Sequence, residues 1–257
     1  MASISRLPEY SDRWRHSLHW QPDAYQQASF QALYEAILEG NRQLNLTRLT
    51  AADDFWEKHV WDSLSGVVPW LGQEPTVQEL ALAPGHRVID IGTGAGFPGL
   101  PVAIACPTWP ITLLDSTRKK IAWLAGVSQD LGLTNVTTIT ERAETLGHHP
   151  DHRQAYDLAL VRAVGSVATC AEYALPLLAQ GGVAVLYRGQ WTVAEQEQLQ
   201  TVATRLGGHL IQLRPWRTPL SHSVRHCVYL LKDRDTPHTY PRAVGLPAKF
   251  PLASPDS

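Results

Sequence analysis

Between residues 87 and 206, five short apolar runs alternate with longer stretches of helical periodicity. The predicted strands are Arg87–Ile91, Ile111–Asp115, Val136–Thr140, Asp157–Val161 and Val183–Tyr187. The predicted helices between and after them are Gly99–Ala105, Arg118–Leu131, Val167–Leu178 and Ala194–Leu206. Alternation of strands with helices is typical of βαβ units, so the pattern predicts an α/β fold whose parallel sheet is covered by helices on both faces.

The segments that flank this alternation have a different pattern. Two more predicted strands, His209–Arg214 and Arg225–Leu231, are separated by only about ten residues, too few for a crossover helix, so we expect an antiparallel hairpin at one sheet edge. Before the alternation, helices are predicted from Pro22 to Arg42 and from about Ala52 to Leu64, after a loose lead-in. We therefore expect an N-terminal helical extension (1–80), a Rossmann-like domain (81–232) and an extended tail (233–257).

Charge and cysteine content limit the partners and the compartment. The 22 Lys and Arg residues against 24 Asp and Glu residues give a net charge of -2, so a nucleic-acid partner would have to meet a local basic patch. The sequence has neither an apolar signal region at the N-terminus nor an apolar run near membrane length, so a cytoplasmic protein without a membrane partner is expected. The cysteines, at positions 106, 170 and 227, are unpaired in spacing and are interpreted as buried thiols.

The stretch VIDIGTGAGFPGLP, residues 88–101, joins the first strand to a helix through a glycine loop. Backbone N–H groups in such a loop suit a charged ligand held close to the main chain, an approach that Gly94 would permit. A nicotinamide or flavin dinucleotide would require a third glycine where the chain has Phe97. The run of two apolar residues, Asp90, one apolar residue and then alternating Gly92, Gly94 and Gly96 instead resembles the motif of class I S-adenosylmethionine-binding proteins.

Polar residues also follow the next two strands. Asp115 lies at the end of the second strand, about 20 residues beyond the loop, where an acid can accept both ribose hydroxyls. Asp115, Ser116 or Thr117 could equally cap the helix that follows. After the third strand, Ala143 and Glu144 fit the loop that covers the adenine in class I methyltransferases, and a simple surface acid is the alternative for Glu144.

The end of the fourth strand, Val161-Arg162-Ala163, lacks two motifs of other methyltransferases. It has no Asn/Asp-Pro-Pro-aromatic loop, which orients an exocyclic amine, and none of the three cysteines is placed there as the nucleophile that a pyrimidine carbon needs. An acceptor with a free lone pair, such as guanine N7, fits this site, because it needs positioning rather than deprotonation. Arg162 is the candidate catalytic residue, contacting cofactor, base or phosphate, and a structural ion pair is the alternative.

Seven segments together resemble the bacterial small-subunit ribosomal RNA guanine-N7 methyltransferases, the glucose-inhibited division protein B family. They span nearly the whole chain and are NLTRLT (45–50), KHVWDSL (58–64), VIDIGTGAGFPGLPVAIACP (88–107), LLDSTRKKIAWL (113–124), ERAE (141–144), VRAV (161–164) and YPRAVGLPAKFPL (240–252). The lead-in over residues 1–20 and the GHHPDHRQ insertion depart from many relatives.

The resemblance implies a class I S-adenosylmethionine-dependent fold with an N-terminal helical addition. It implies methyl transfer to N7 of the guanine at position 527 of 16S ribosomal RNA, in the small ribosomal subunit, and no DNA substrate. It also implies cofactor contacts from these residues: Gly92, Phe97, Asp115, Ser116, Thr117, Ala143, Glu144 and Arg162. Three alternatives remain: a class I methyltransferase with a protein or small-molecule acceptor, a dinucleotide-dependent oxidoreductase, and a non-catalytic RNA-binding module that has kept a nucleotide pocket.

The composition gives the least support to contacts with RNA. The candidate basic residues, each of which could be a solvated charge, are Arg118, Lys119, Lys120, Arg188, Arg242 and Lys249. His59 and Asp62, three residues apart on a predicted helix, either face the cleft or form a local pair. The histidines at 148, 149 and 152 are interpreted as a solvated loop, and no metal site is expected.

Overall fold

The computed structural model describes residues 5–71 and 86–252. Its strands form a seven-stranded sheet in the order β3-β2-β1-β4-β5-β7-β6. The strands are β1 (Val88–Ile91), β2 (Ile111–Asp115), β3 (Val136–Thr140), β4 (Tyr156–Arg162), β5 (Leu178–Arg188), β6 (Gly208–Arg217) and β7 (Val224–Lys232). β1 to β5 pair in parallel, whereas β7 runs antiparallel to β5 and to β6. The predicted parallel sheet with an antiparallel edge hairpin is thus confirmed.

Helices connect the strands and precede the sheet. The longer ones are Ser11–Leu18, Ala24–Leu44, Gly99–Ala105, Arg118–Asp130, Val167–Ala174 and Val193–Arg205, and single turns are Val68–Leu71, Ala143–Leu146 and Leu246–Lys249. The predicted extension of one helix to Leu178 was wrong, because residues 175–177 form a turn and β5 already begins at Leu178. The segment between the N-terminal helices and β1 lies mostly in residues 72–85, outside the described residues.

One further helical segment, residues 52–65, changes its winding in the middle. It consists of an α-helical start (Ala52–Phe55), a π-helical section (Trp56–Trp61) and an α-helical end (Asp62–Ser65). We call it the π-containing helix. Its extent agrees with the predicted helix from Ala52 to Leu64, although no pattern in the sequence indicates the π section. Such sections are frequent at functional sites.

The prediction of a loose lead-in was wrong for the described part of residues 1–20. Ser11–Leu18 is a helix, and its Trp14 is completely buried. The Trp14 ring meets the Trp56 ring edge-on, with centroids 4.8 Å apart. The polar sequence around Trp14 gives little local signal, so this helix depends on long-range aromatic packing.

Alternate residues of each central strand pack into hydrophobic clusters on opposite faces of the sheet. Val88 joins the cluster that includes the N-terminal helices, whereas the next residue, Ile89, joins the cluster beneath Val167–Ala174 and Val193–Arg205. This burial on both faces explains why the central strands are continuous apolar runs. Because β1, β2 and β4 are parallel, their carboxyl ends lie at the same end of the sheet, which is where open α/β sheets bind their ligands. The division at residues 80 and 232 remains a prediction.

Candidate functional site

The glycine loop between β1 and its following helix has three glycines with positive φ. Their φ values are +72° for Gly92, +59° for Gly94 and +93° for Gly96, a region that side chains with a Cβ disfavour. A Cβ at Gly94 would meet no atom closer than 3.9 Å, whereas one at Gly96 would lie 2.5 Å from Leu100 Cδ1. Gly96 therefore serves internal packing, and Gly94 leaves its backbone open to a ligand.

Asp90 lies beneath this loop and organises it. The residue is fully buried, and its Oδ2 accepts hydrogen bonds from Thr93 Oγ1 at 2.5 Å and from the Gly99 N–H at 2.8 Å. Within the described residues Oδ1 has no partner. Burial raises the pKa of Asp90 to about 6, although both donors oppose that rise. Asp90 thus fixes the loop and the start of the following helix from below.

A cavity of about 300 Å³ opens beside the loop, at the carboxyl ends of β1 and β2. Its lining includes five of the predicted site residues, Gly92, Asp115, Ser116, Ala143 and Glu144. It also includes residues that sequence reasoning missed, namely Ile91, Leu114, Glu141, Arg142, Ala163, Val164, Tyr173 and Ala248. We call it the first cavity. Its mixture of apolar walls and a few polar groups is typical of a nucleoside-sized ligand site.

Asp115 links the loop to the start of the next helix. Its Oδ2 accepts from the Gly94 N–H at 3.0 Å and its Oδ1 from the Thr117 N–H at 2.8 Å. Thr117 occupies the N-cap position, but no side chain makes a capping hydrogen bond there. The carboxylate of Asp115 is only half-buried and borders the cavity, so its remaining lone pairs are available to ligand hydroxyls.

Glu144 is a buried acid, so the alternative of a simple surface acid was wrong. It is 2% exposed, and its Oε1 accepts from Arg142 Nη2 at 2.8 Å, from Tyr173 Oη at 3.0 Å and from the Gly245 N–H at 2.9 Å. These donors outweigh burial and lower its pKa, so Glu144 is ionised at neutral pH. Because Gly245 belongs to the C-terminal tail, Glu144 also fastens the tail over the first cavity.

Arg162, the last residue of β4, forms the ion pair that was its alternative interpretation. Its Nη1 donates to Asp62 Oδ2 at 3.0 Å and to the Lys58 carbonyl oxygen at 3.1 Å. Its guanidinium carbon lies 5.6 Å from the centre of the Phe97 ring. The pair is not fully buried, since the Arg162 side chain keeps 16% of its exposure. The exposed part of the Arg162 side chain can therefore contact a ligand.

His59 and Asp62 both contact Arg162 rather than pairing with each other. His59 Nδ1 is 3.5 Å from Arg162 Nη2, and its ring stacks on Phe97 with centroids 4.3 Å apart. Burial, reinforced by the positive charge of Arg162, lowers the pKa of His59 to about 3, so the ring is neutral. Phe97 is thus packed under the π-containing helix and is not in the lining of the first cavity.

A second cavity, of about 700 Å³, adjoins the first, and Ala163 lines both. Arg162 lines this second cavity together with Arg188, Arg225, His226 and Asp62. It is therefore more basic than the first cavity. The predicted set is divided accordingly: Arg162 belongs to the second cavity, while Asp90, Gly94, Phe97 and Thr117 lie in neither lining.

All three cysteines are buried, as predicted. Burial raises the pKa of each thiol to about 12, so none is a thiolate at neutral pH. His148 and His149 lie on the exposed turn that was predicted, whereas His152 is half-buried, with its Nδ1 2.7 Å from Tyr156 Oη. Over residues 5–71 and 86–252, no group of three or more His, Cys, Asp and Glu side chains is arranged to hold a metal ion.

The candidate RNA-binding residues have different surroundings. Arg118 and Lys119 are exposed, and Lys120 is half-exposed. Arg188 instead pairs with Glu195 at 2.9 Å, and Arg242 with Glu172 at 2.8 Å. The sequence did not indicate that these two arginines form structural ion pairs, because their partners lie 7 and 70 residues away. Among the described helices, none is both long and apolar enough to cross a membrane.

Comparisons with known proteins agree along the chain. A family model described as GidB, rRNA small subunit methyltransferase G, matches residues 26–221. The ribosomal RNA small subunit methyltransferase G of Nostoc punctiforme is 55% identical over 96% of this chain and 98% of its own length. The proteins of the same name from Trichormus variabilis and Trichodesmium erythraeum are 54% and 50% identical, over 96% and 98% of this chain and 98% and 97% of their own lengths.

Proposed function

Because the chain belongs to the rRNA small subunit methyltransferase G family, we propose that it methylates N7 of the guanine at position 527 of 16S ribosomal RNA. The coarser activity, S-adenosylmethionine-dependent methylation of ribosomal RNA, follows from the family. The observation that carries it is 55% identity to a relative of that name over 96% of the chain. With an RNA of the small ribosomal subunit as substrate, the protein works in the cytoplasm.

The first cavity has the chemistry that S-adenosylmethionine requires. The half-buried carboxylate of Asp115 in its lining fits the ribose, and the open backbone of Gly94, in the loop beside the cavity, fits the amino-acid part of the ligand. When bound, S-adenosylmethionine supplies a methyl group on a sulfonium centre. In this proposal the backbones of Gly92 and Gly94 lie against the ligand. Asp115 accepts hydrogen bonds from the ribose hydroxyls, and Ser116 borders the ribose. Ala143 and the ionised Glu144 line the adenine end.

The lining of the second cavity supports an acceptor that needs no deprotonation. Cys227, the cysteine in this lining, carries a thiol whose pKa burial raises to about 12, which disfavours covalent activation of a pyrimidine carbon. His59, whose pKa is lowered to about 3, is a weak base beside Arg162. Guanine N7 already has a lone pair, so Arg162 is required only to hold the base or its phosphate in line with the methyl group.

The other acceptors and cofactors are less well supported. A dinucleotide-dependent oxidoreductase is not favoured, since the relatives are named as methyltransferases. A protein or small-molecule acceptor does not agree with a family of ribosomal RNA methyltransferases. A non-catalytic RNA-binding module that has kept a nucleotide pocket is likewise not favoured, since the relatives are named as methyltransferases.

The acceptor atom can be tested by chemical mapping. N7-methylguanine carries a fixed positive charge, so borohydride reduction followed by aniline cleaves RNA at that base. RNA from cells that lack the protein should lose one such cleavage in 16S ribosomal RNA, and purified protein with S-adenosylmethionine should restore it. Arg162→Ala should slow the restoration while the protein stays folded. An unchanged cleavage pattern, or a methyl group found on an exocyclic amine, would exclude the N7 assignment.

A further inference from the structure

Asp62 is a carboxylate that the proposed chemistry does not use, yet it lies in the lining of the second cavity. It is the first residue after the π-helical section, and its side chain retains 12% of its exposure. Its Oδ2 accepts from Arg162 Nη1 at 3.0 Å, and its Oδ1 lies 3.7 Å from Arg225 Nε. One carboxylate therefore contacts two arginines, one through each oxygen.

The two arginines come from strands that are not neighbours. Arg162 ends β4, Arg225 is near the start of β7, and β5 lies between these strands in the sheet. Two guanidinium groups brought to one cavity repel each other, and the repulsion grows as solvent is excluded. A negative charge between them removes that cost. Asp62 directly follows the π section, a form of helix that is frequent at functional sites.

Within the described part of the chain, the remaining contacts of Arg162 do not supply a compensating charge. The Lys58 carbonyl oxygen and the Phe97 ring are neutral, and His59 is neutral because its pKa is lowered to about 3. Arg225 Nη1 donates to the carbonyl oxygen of its neighbour Val224, which is also neutral. Glu195, the other carboxylate of this lining, is bound to Arg188 at 2.9 Å. Asp62 is thus the acid that the geometry assigns to this pair of arginines.

We propose that Asp62 is a positioning residue for methyl transfer, which holds the guanidinium groups of Arg162 and Arg225 convergent on the second cavity, where the acceptor nucleotide binds. The inference rests on the proposed function, because it assumes a guanine acceptor next to the first cavity. Its physical basis is that the acceptor can be held in line with the methyl group only if both cations keep fixed positions. Asp62 acts through these arginines and need not touch the RNA itself.

The test is Asp62→Asn, which keeps the size of the side chain and removes the charge. Methyl transfer to small ribosomal subunits that lack the modification gives kcat and KM, and calorimetry gives the Kd of S-adenosylhomocysteine. We expect kcat to fall at least tenfold while this Kd stays within twofold of that of the wild type. Asp54→Asn is the matched control, because Asp54 is on the same π-containing helix and pairs with the partly exposed Lys58; its kcat should not change.

A double-variant comparison separates positioning from a merely structural ion pair. If Asp62 acts through Arg162, then Asp62→Asn should lower kcat little further once Arg162→Ala is present. A kcat of Asp62→Asn within twofold of the wild type, or a full additive loss in the double variant, would overturn the proposal. Should Asp62→Asn not fold, Asp62→Glu replaces it, since it keeps the charge and moves it by one methylene; unchanged kcat in that variant overturns the proposal equally.

The same experiment distinguishes failure of the inference from failure of the proposed function. If the wild-type protein transfers a methyl group to the guanine and Asp62→Asn does so equally fast, only the positioning role is excluded. If the wild-type protein transfers no methyl group to the RNA of the particle, the proposed function fails, and the inference fails with it.

Discussion

At the scale of single residues, Asp115 has both a loop-holding and a ligand-facing part. Its carboxylate accepts from the N–H groups of Gly94 and Thr117 and still borders the first cavity. Asp115→Ala should weaken binding of S-adenosylhomocysteine by about 1–3 kcal/mol, the usual cost of losing a charged hydrogen-bond partner. Calorimetry measures this, with Asp130→Ala, an exposed acid at the end of the following helix, as control. If Asp115→Ala instead lowered the melting temperature and left the affinity unchanged, Asp115 would hold the loop without contacting the ligand.

The buried carboxyl of Asp90 makes stability depend on pH. Burial raises its folded-state pKa to about 6, above the value of about 4 for an unfolded aspartate. Because the folded protein binds this proton more tightly, the contribution of Asp90 to the free energy of unfolding is greatest below pH 4 and is lost as the pH rises through 6. Asp90→Asn should remove this dependence, which amounts to roughly 2–3 kcal/mol between pH 4 and 7.5.

Urea unfolding of wild type and Asp90→Asn at a series of pH values measures that difference. The variant should gain on the wild type as the pH rises from 4 to 7.5. A constant difference over the range would show that Asp90 does not titrate there. Asp157→Asn is a suitable control, since the Asp157 carboxylate also accepts a backbone N–H, that of Arg87, but is not fully buried.

At the scale of elements, the glycine loop separates ligand contact from packing. Alanine at Gly94 or Gly96 carries the same penalty of roughly 1–2 kcal/mol for a positive φ. Gly96→Ala adds a clash with Leu100 and Leu124, so it should lower the free energy of unfolding further. The Cβ that Gly94→Ala adds would meet open space. This variant should therefore lose more free energy of S-adenosylhomocysteine binding than free energy of unfolding. Equal stability loss and equal affinity in the two variants would contradict this division of roles.

The strands were predictable because their signal is local. β2, β3 and the helix Gly99–Ala105 have the predicted bounds, and β1 begins one residue after its predicted start. The other four strands extend the predicted ones by a few residues. Apolar runs bounded by turn residues specify such strands wherever they lie in the chain. The π section and the helix around Trp14 were not predictable, because each depends on packing partners distant in sequence.

At the scale of the whole molecule, the C-terminal tail is fastened across the domain. Arg242 donates to both oxygens of Glu172, which is fully buried, and Gly245 donates to Glu144 at the first cavity. Arg242→Ala would leave a buried carboxylate unpaired, at a cost of about 3 kcal/mol. We expect a lower melting temperature and weaker binding of S-adenosylhomocysteine, because the tail would loosen from Glu144.

Arg234→Ala is the control for the tail. Arg234 is an exposed arginine that donates to the Thr204 carbonyl oxygen at the surface and has a long ion pair with Asp233, at 3.6 Å. Its loss leaves no buried charge unpaired, so it should change the melting temperature little. Calorimetry and thermal unfolding of both variants test the expectation. If Arg242→Ala behaved like Arg234→Ala in both measurements, the Glu172 pair would not hold the tail.

The sequence by itself determined the parallel sheet, its antiparallel edge, the glycine loop and the acid at the end of β2, because strand periodicity and glycine conformation act between near neighbours. Only the tertiary structure decided the surroundings of the charged residues. Glu144 is buried by contacts with Tyr173 and Gly245, and Arg162 meets Asp62 across 100 residues of chain. Burial and ion pairing depend on which elements pack together, and no local pattern encodes that.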